Sequence, residues 1–451
     1  MLREWEPGEV RTMDDFVAEL RKLKARAGNP SITQITRRVH LAWQRAGRPC
    51  GEWPARSTVG NCFRFGRRRP NADLLLAVVH ALVDGDAAAV SAWRQALRTV
   101  LGEAEAAGRV AAAGRLPDLP AGHVVREGLV ERASHVLDDG ALVLEGQAGI
   151  GKTSLAVDLA RHIRTAGPVL FADLRGSAVG GAPPADPRAV LESFLRILGV
   201  AGERIPYGLD ARARLYRRLL GASAPLVVLD DAADADQVRP LLPAGPTGAT
   251  LVTSRTRLAE LDGVRRMSVP ALEPKEALAV LRATAGAGRI EEDEQTAGRM
   301  AELLGRHPLA LSVIGRHLRE HPDWELADYS SEPLAALALE GGVRAALAAT
   351  DAKLPGEERR LLRLLALHPR RPFTARTAAV LADRPDAETR ALLAALVRSH
   401  LVEEGAEGYH LPNLVHAYAR ERIGIDEPAS CVRRAVERVF VHHYSTVAVA
   451  V

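Results

Sequence analysis

Thirteen consecutive residues carry the densest chemistry in this 451-residue chain: Leu142-Val-Leu-Glu-Gly146-Gln-Ala-Gly149-Ile-Gly151-Lys152-Thr153-Ser154. An apolar run leads into the spacing GxxxxGK[ST], and each position has a physical task. Gly146, Gly149 and Gly151 let successive backbone N–H groups curl around an anion without Cβ clashes. Lys152 adds a point charge where β- and γ-phosphates would lie. Thr153 offers a hydroxyl to Mg²⁺. Ser154 continues the first turn of a helix whose positive end faces the phosphates. The pattern implies binding of a nucleoside triphosphate with Mg²⁺.

Two clusters downstream suit the same chemistry. Leu226-Val-Val-Leu-Asp230-Asp231 is an apolar strand ending in two carboxylates. At the carboxyl edge of a parallel sheet, Asp230 is placed to hold Mg²⁺ through water. Asp231 is placed to orient or deprotonate an attacking water, which makes Asp231 and Lys152 the candidate catalytic residues. Thr250-Leu-Val-Thr253-Ser254-Arg255 ends the next strand in an arginine suited to reading a γ-phosphate.

Only a sheet covered on both faces brings such strand ends together. Candidate strands at 142–145, 169–173, 226–230, 250–253 and 266–269 alternate with helical patterns, so residues 123–270 read as a parallel-sheet α/β domain. Residues 10–102 read as an all-helical domain. Phe16, Leu20, Leu23 and Ala27 recur at helical spacing until Gly28-Asn-Pro, and Ser31 and Asn71 are placed as caps. Residues 103–122 are rich in Ala, Gly and Pro and read as a linker. Residues 271–350 read as a helical lid. Residues 354–424 show three helical patterns, a hairpin around Gly405-Ala-Glu-Gly408 and a final helix, the winged-helix arrangement. Residues 425–451 read as a helical tail, the lead-in to a sensor of helical repeats. The whole is a multidomain α and α/β chain.

Composition narrows the class. At 47% apolar and 26% charged residues, without a run of eighteen apolar residues, the chain suits a soluble protein with no membrane partner and a cytoplasmic setting. Three cysteines lacking C-x-x-C spacing indicate neither a disulfide framework nor a zinc site. The net charge of +4 is uneven, since residues 1–116 carry +7. Between Arg21 and Arg69 there are 13 basic residues against the single acid Glu52. That footprint fits nucleic acid, or basic helix faces that recruit a protein.

The ordered set Arg126-Glu127, the phosphate loop, Leu-Asp230-Asp231, Thr-Ser254-Arg255 and Gly305-Arg-His-Pro308-Leu-Ala-Leu, followed by a winged helix, resembles the NB-ARC class of signal-transducing STAND ATPases. The texture is similar to the ATPase part of actinobacterial SARP-type regulators, over about residues 123–425. The resemblance implies that Arg126 lies at the adenine pocket, that Arg255 senses the γ-phosphate and that Pro308 packs on base and ribose. Val125 stands where the family has a glycine. Pro412-Asn413 stand where it has a histidine and an aspartate that lock the ADP state. The implied mechanism is a switch: ADP closes the domains, ATP opens them for self-association, and slow hydrolysis resets them under a protein or small-molecule trigger. Moving such an equilibrium from 1:99 to 99:1 takes about 5.5 kcal/mol of differential binding.

The N-terminal segment is similar to the Cro/repressor-type helix-turn-helix domains found ahead of such ATPases. Residues 31–41 would form the first helix of the motif. Arg56, Ser57, Thr58 and Asn61 would face base edges, and Arg64, Arg67, Arg68 and Arg69 would meet DNA phosphates. A helical adaptor that recruits a protein is the competing reading. For the whole chain, an ATP/ADP-switched regulator of transcription or of a defence-type response competes with a turnover AAA+-type ATPase acting on DNA, of the initiator or helicase-loader kind.

Overall fold

The computed structural model describes residues 5–8, 10, 12–45, 50–66, 71–100, 111–137, 140–163, 165, 167–177, 183–221, 224–243, 248–328, 342–369 and 371–449. Contacts gather into two compact units. One comprises residues 1–114, 185–223 and 240–244; the other comprises residues 115–184, 224–239 and 245–451.

The first unit begins with five helices, α1 (Met13–Arg26), α2 (Ile32–Arg45), α3 (Arg56–Asn61), α4 (Ala72–Leu82) and α5 (Ala87–Val100). Their starts are written locally. Thr12 and Asp15 exchange side-chain and backbone hydrogen bonds ahead of α1, Ser31 and Gln34 do so ahead of α2, and Asn71 Oδ1 accepts from Leu74 N at 3.0 Å. Positive φ at Gly28 and Asn29 ends α1. Phe16, Leu20 and Leu23 of α1 meet Ile35 and Val39 of α2 in a core that buries Trp93, which stands edge-on to Phe16 at 5.2 Å. Helix α2 runs four residues past the expected end at residue 41, because Trp43 finds burial on its inner face. Within the stretch read as a linker, Ala111–Ala113 form a short strand, β1. Strand pairing is made by the main chain, so an alanine run gives no side-chain pattern to betray it.

Helices Pro187–Ile197 and Leu209–Leu220 complete this unit. Phe194 and Tyr216 stack between them at 5.9 Å. Tyr207 is buried in the core of the N-terminal helices; its N–H donates to Asp73 Oδ1 at 2.7 Å and its hydroxyl to Arg94 O at 3.1 Å. Buried Glu192 pairs with Arg98 at 2.9 Å and with Arg212 at 3.4 Å.

The second unit holds a parallel sheet of β2 (Ala141–Glu145), β3 (Val169–Asp173), β4 (Leu226–Ala232), β5 (Ala249–Ser254) and β6 (Arg265–Ser268). The order is β3-β4-β5-β2-β6, so the carboxyl ends of β2, β4 and β5 lie at one edge. Leu142, Val143 and Leu144 of β2 and Val227, Val228 and Leu229 of β4 are fully buried, as a sheet covered on both faces requires. Helices Pro274–Ala285 and Pro308–Glu320 pack closely at Gly315, where any side chain would overlap Thr284. The winged helix consists of helices Gly356–Leu365, Ala375–Ala382 and Asp386–Arg398, the hairpin β7 (Glu403–Gly405) with β8 (Gly408–His410), and helix Asn413–Asp426. Phe373 extends the wing by pairing with Tyr409. A last helix spans Ala429–Val449. Among the described residues no helix is long and apolar enough to cross a membrane.

Tyr216 is fully buried and its hydroxyl has no hydrogen-bond partner among the described residues. Such a hydroxyl costs about 1–3 kcal/mol in desolvation, so Tyr216→Phe should stabilise the protein by about 1 kcal/mol. Urea unfolding should show a higher midpoint at unchanged slope; a lower midpoint would mean that the hydroxyl is satisfied.

Candidate functional site

Strand β2 delivers the chain into a loop that can be tight because Gly149 and Gly151 adopt φ of +78° and +92°. Helix Lys152–His162 starts directly after Gly151, as the motif spacing predicts. Lys152 folds back over the loop, and its Nζ donates to Gly146 O at 2.9 Å and Gln147 O at 2.7 Å. The ammonium is almost wholly buried. Burial first, and then the charge of Arg255, push its pKa down to about 7, while Asp231 and Asp230 act the other way.

The end of β4 meets that loop. Asp230 Oδ1 accepts from Thr153 Oγ1 at 2.8 Å and from Thr253 Oγ1 of β5 at 2.6 Å. Burial raises the Asp230 pKa, and the two threonine hydroxyls oppose the rise. A half-buried carboxylate beside a hydroxyl is an all-oxygen donor set suited to a hard cation. Among the described residues no group of three or more His, Cys, Asp or Glu could hold a metal. Thr153 and Asp230 together offer two oxygen donors, which fits Mg²⁺ because that ion keeps few protein ligands.

Asp231 has a left-handed backbone, φ +52°. Its N–H donates to Thr253 Oγ1 at 2.8 Å, and its carboxylate accepts from Ser177 N at 2.7 Å and pairs with Arg255 Nε at 3.4 Å. Arg255 also donates through Nη1 to Ala346 O at 2.8 Å, in helix Arg344–Asp351. Lys353 bonds the carbonyl of Gly176 beside Asp231; burial lowers its pKa and Asp231 resists that change. The sequence offered no signal for Lys353, which stands 177 residues from the carbonyl it holds.

A cavity of about 480 Å³ joins these groups. Arg126, Gly149, Gly151, Lys152, Thr153 and Ser154 line one side. Asp230, Asp231, Arg255 and Pro308 also line it. Arg126 spends its head on the protein: Nη1 and Nη2 donate to the carbonyls of Pro270 and Ala271 at 3.0 and 2.8 Å, and Nε pairs with Glu276 at 3.1 Å. What it offers the cavity is its stem and a fixed wall. Gly146 lies instead on a second cavity of about 610 Å³, together with Arg257, His400, His410, Pro412 and Asn413.

Around that second cavity the winged helix meets the phosphate loop. Gln147 Nε2 donates to Glu403 Oε1 of the wing at 2.9 Å, and Arg257 N donates to Arg398 O at 3.1 Å. Asn413 Nδ2 donates to Glu302 O and Leu303 O at 3.2 Å each, satisfying the last carbonyls of helix Glu294–Leu303. His410 pairs with Glu403 at 3.0 Å. His400 is held near pKa 4 by burial and by the charges of Lys152 and Arg257.

In the helical unit Arg56, Ser57 and Arg64 are exposed, while Thr58 and Asn61 are half-buried. Helix α3 has only six residues. Arg67, Arg68 and Arg69 lie outside the described residues.

No family model matches the chain. Among curated proteins, Regulatory protein AfsR of Streptomyces coelicolor is 38% identical over 287 residues, 61% of this chain and 29% of the relative. Regulatory protein AfsR of Streptomyces griseus is 36% identical over 314 residues, 67% of this chain and 32% of the relative. The chain thus spans about a third of the length of these relatives. Among solved structures, a Signal Transduction ATPase with Numerous Domains bearing a tetratricopeptide repeat sensor, from Pyrococcus horikoshii, is similar at 22% identity and a TM-score of 0.35, over 71% of this chain and 45% of that one. Over the matched stretch this chain is a relative of the AfsR regulatory proteins.

Proposed function

We propose that this chain is a nucleotide-switched regulator, in which ATP or ADP bound with Mg²⁺ at the phosphate loop controls self-association and the output of the N-terminal helices. The observation that carries it is the double attachment of the loop region. Asp231 and Arg255 line the same cavity as Lys152, and Arg255 also grips Ala346 on the segment leading to the winged helix. Gln147 meanwhile touches the wing itself. A change at the phosphates is therefore a change at the domain contacts.

The roles follow from position. Backbone N–H groups from Gly149 onward and Lys152 would cradle the phosphates, and Arg126 and Pro308 would wall the base and ribose. Thr153 and Asp230 would hold Mg²⁺, which when bound neutralises phosphate charge. Asp231 would accept from an attacking water only after releasing Arg255, so hydrolysis is slow and resets the switch. Arg255 released from Asp231 would reach a γ-phosphate. The winged helix is held by Gln147–Glu403 and by Asn413, and these bonds do not need an ADP phosphate. They stand in for the histidine and aspartate that Pro412-Asn413 replace.

Nucleotide content and turnover test this reading. Denatured, freshly purified protein should release stoichiometric ADP, with steady-state hydrolysis close to zero. An empty site with sustained turnover, faster with DNA, would support the motor instead. Lys152 supplies a second test. Phosphates favour the ammonium, so binding raises its pKa from about 7 and takes up a proton above that pH. ADP affinity should weaken as pH rises from 7 to 9, and calorimetry in two buffers of different ionisation enthalpy should show the uptake. Lys152→Ala should abolish both effects.

For the N-terminal helices, the basic stretch and exposed Arg56 and Arg64 support DNA as the partner. Arg64→Ala should weaken binding to every duplex alike and reduce the salt slope by about 1. If DNA binding is absent, or the slope stays the same, the adaptor reading takes its place.

A further inference from the structure

The helix that starts at Pro308 does more than wall the cavity. Its N-cap, His307, is 4% exposed and lies against the phosphate loop. His307 Nε2 sits 2.9 Å from Ala148 O. A carbonyl only accepts, so Nε2 carries the hydrogen and Nδ1 is bare. A bare Nδ1 is what the second contact needs, since Ala310 N donates to it at 3.4 Å to cap the helix. Two residues after His307, Leu309 N donates to Gly149 O at 3.4 Å. The approach is as close as the loop allows: a Cβ on Gly149 would come within 2.7 Å of His307 Cε1 and 2.9 Å of Leu309 Cδ2. Burial, with Lys152 nearby, holds the imidazole down to about pKa 4, so the ring stays neutral and keeps this tautomer.

A trans peptide points its C=O and N–H in opposite directions. Holding the Ala148 carbonyl against His307 therefore turns the Gly149 N–H away from the helix. We propose that His307 is a positioning residue of the phosphate cradle: it holds the Ala148 carbonyl so that the Gly149 N–H is aimed at the bound phosphate, and the same ring fastens the cradle to the start of helix Pro308–Glu320. Its ring makes the lid and the phosphate donors one rigid element. The inference rests on the nucleotide-binding reading of this cavity.

Two substitutions separate aiming from capping. His307→Asn keeps a good N-cap but is too short for the Ala148 carbonyl. His307→Gln regains that reach. Affinity for a fluorescent ADP analogue, with nucleotide-free melting of each full-length variant, reads the difference. The Asn variant should bind about tenfold more weakly, the equivalent of one hydrogen bond, and the Gln variant within about threefold of the parent. Their nucleotide-free melting temperatures should agree within a few degrees. Parent-like affinity in the Asn variant overturns the proposal. So does a Gln variant as weak as the Asn variant when the two melt alike. If the parent binds no ADP, or Lys152→Ala binds it undiminished, the nucleotide reading itself falls and takes this inference with it.

Discussion

A cradle made of peptide N–H groups has no side chains with which to aim itself. Its donors point where the carbonyls behind them are not, so whatever holds those carbonyls decides whether the loop can grip an anion. In this chain the carbonyls of Gly146 and Gln147 are held by Lys152, and those of Ala148 and Gly149 by His307 and Leu309. The lysine belongs to the loop, but the histidine and leucine come from a different domain element. The loop is thus preorganised from two directions, and its shape depends on the lid being in place.

The carboxylate side follows a similar logic with charges. Asp230 is half-buried and bonded to two threonine hydroxyls, a setting that suits a cation. Asp231 already has one, Arg255. The left-handed backbone at Asp231 makes this division possible, because it sends two adjacent carboxylates of one strand end to different partners. Gly176 fits beneath that turn only because it lacks a Cβ, which would collide with the backbone of residues 231–233.

Much of this was legible in the sequence because the signals are local. The five strand cores announce themselves as apolar runs, the glycine spacing marks the loop before helix Lys152–His162, and Asp230, Thr153 and Pro308 line one cavity. What the sequence concealed is long-range. Arg126 lines the cavity and also clamps Pro270 and Ala271, a tie its motif does not show. Arg255 is divided between Asp231 and a carbonyl 91 residues away. His307 read as one letter of a packing motif, since nothing in a linear string shows that its ring reaches a carbonyl 159 residues earlier. The hairpin of the wing was readable from its glycines, but its tie to Gln147 was not.

The helical unit has a consequence for how the chain comes off the ribosome. Its N-terminal helices bury Tyr207, and Asp73 waits for the backbone N–H of that residue 134 positions downstream. The unit is discontinuous in sequence, so its core cannot close until residues 185–223 have been made. By then the phosphate loop and strand β3 are already synthesised. Closing such a distant contact carries a loop-entropy cost, which makes the helical unit a late folder despite its local helices. A fragment cut near residue 102 would keep all five helices but leave the socket for Tyr207 open to water. Its stability would report how far the N-terminal domain depends on a hairpin encoded well beyond it.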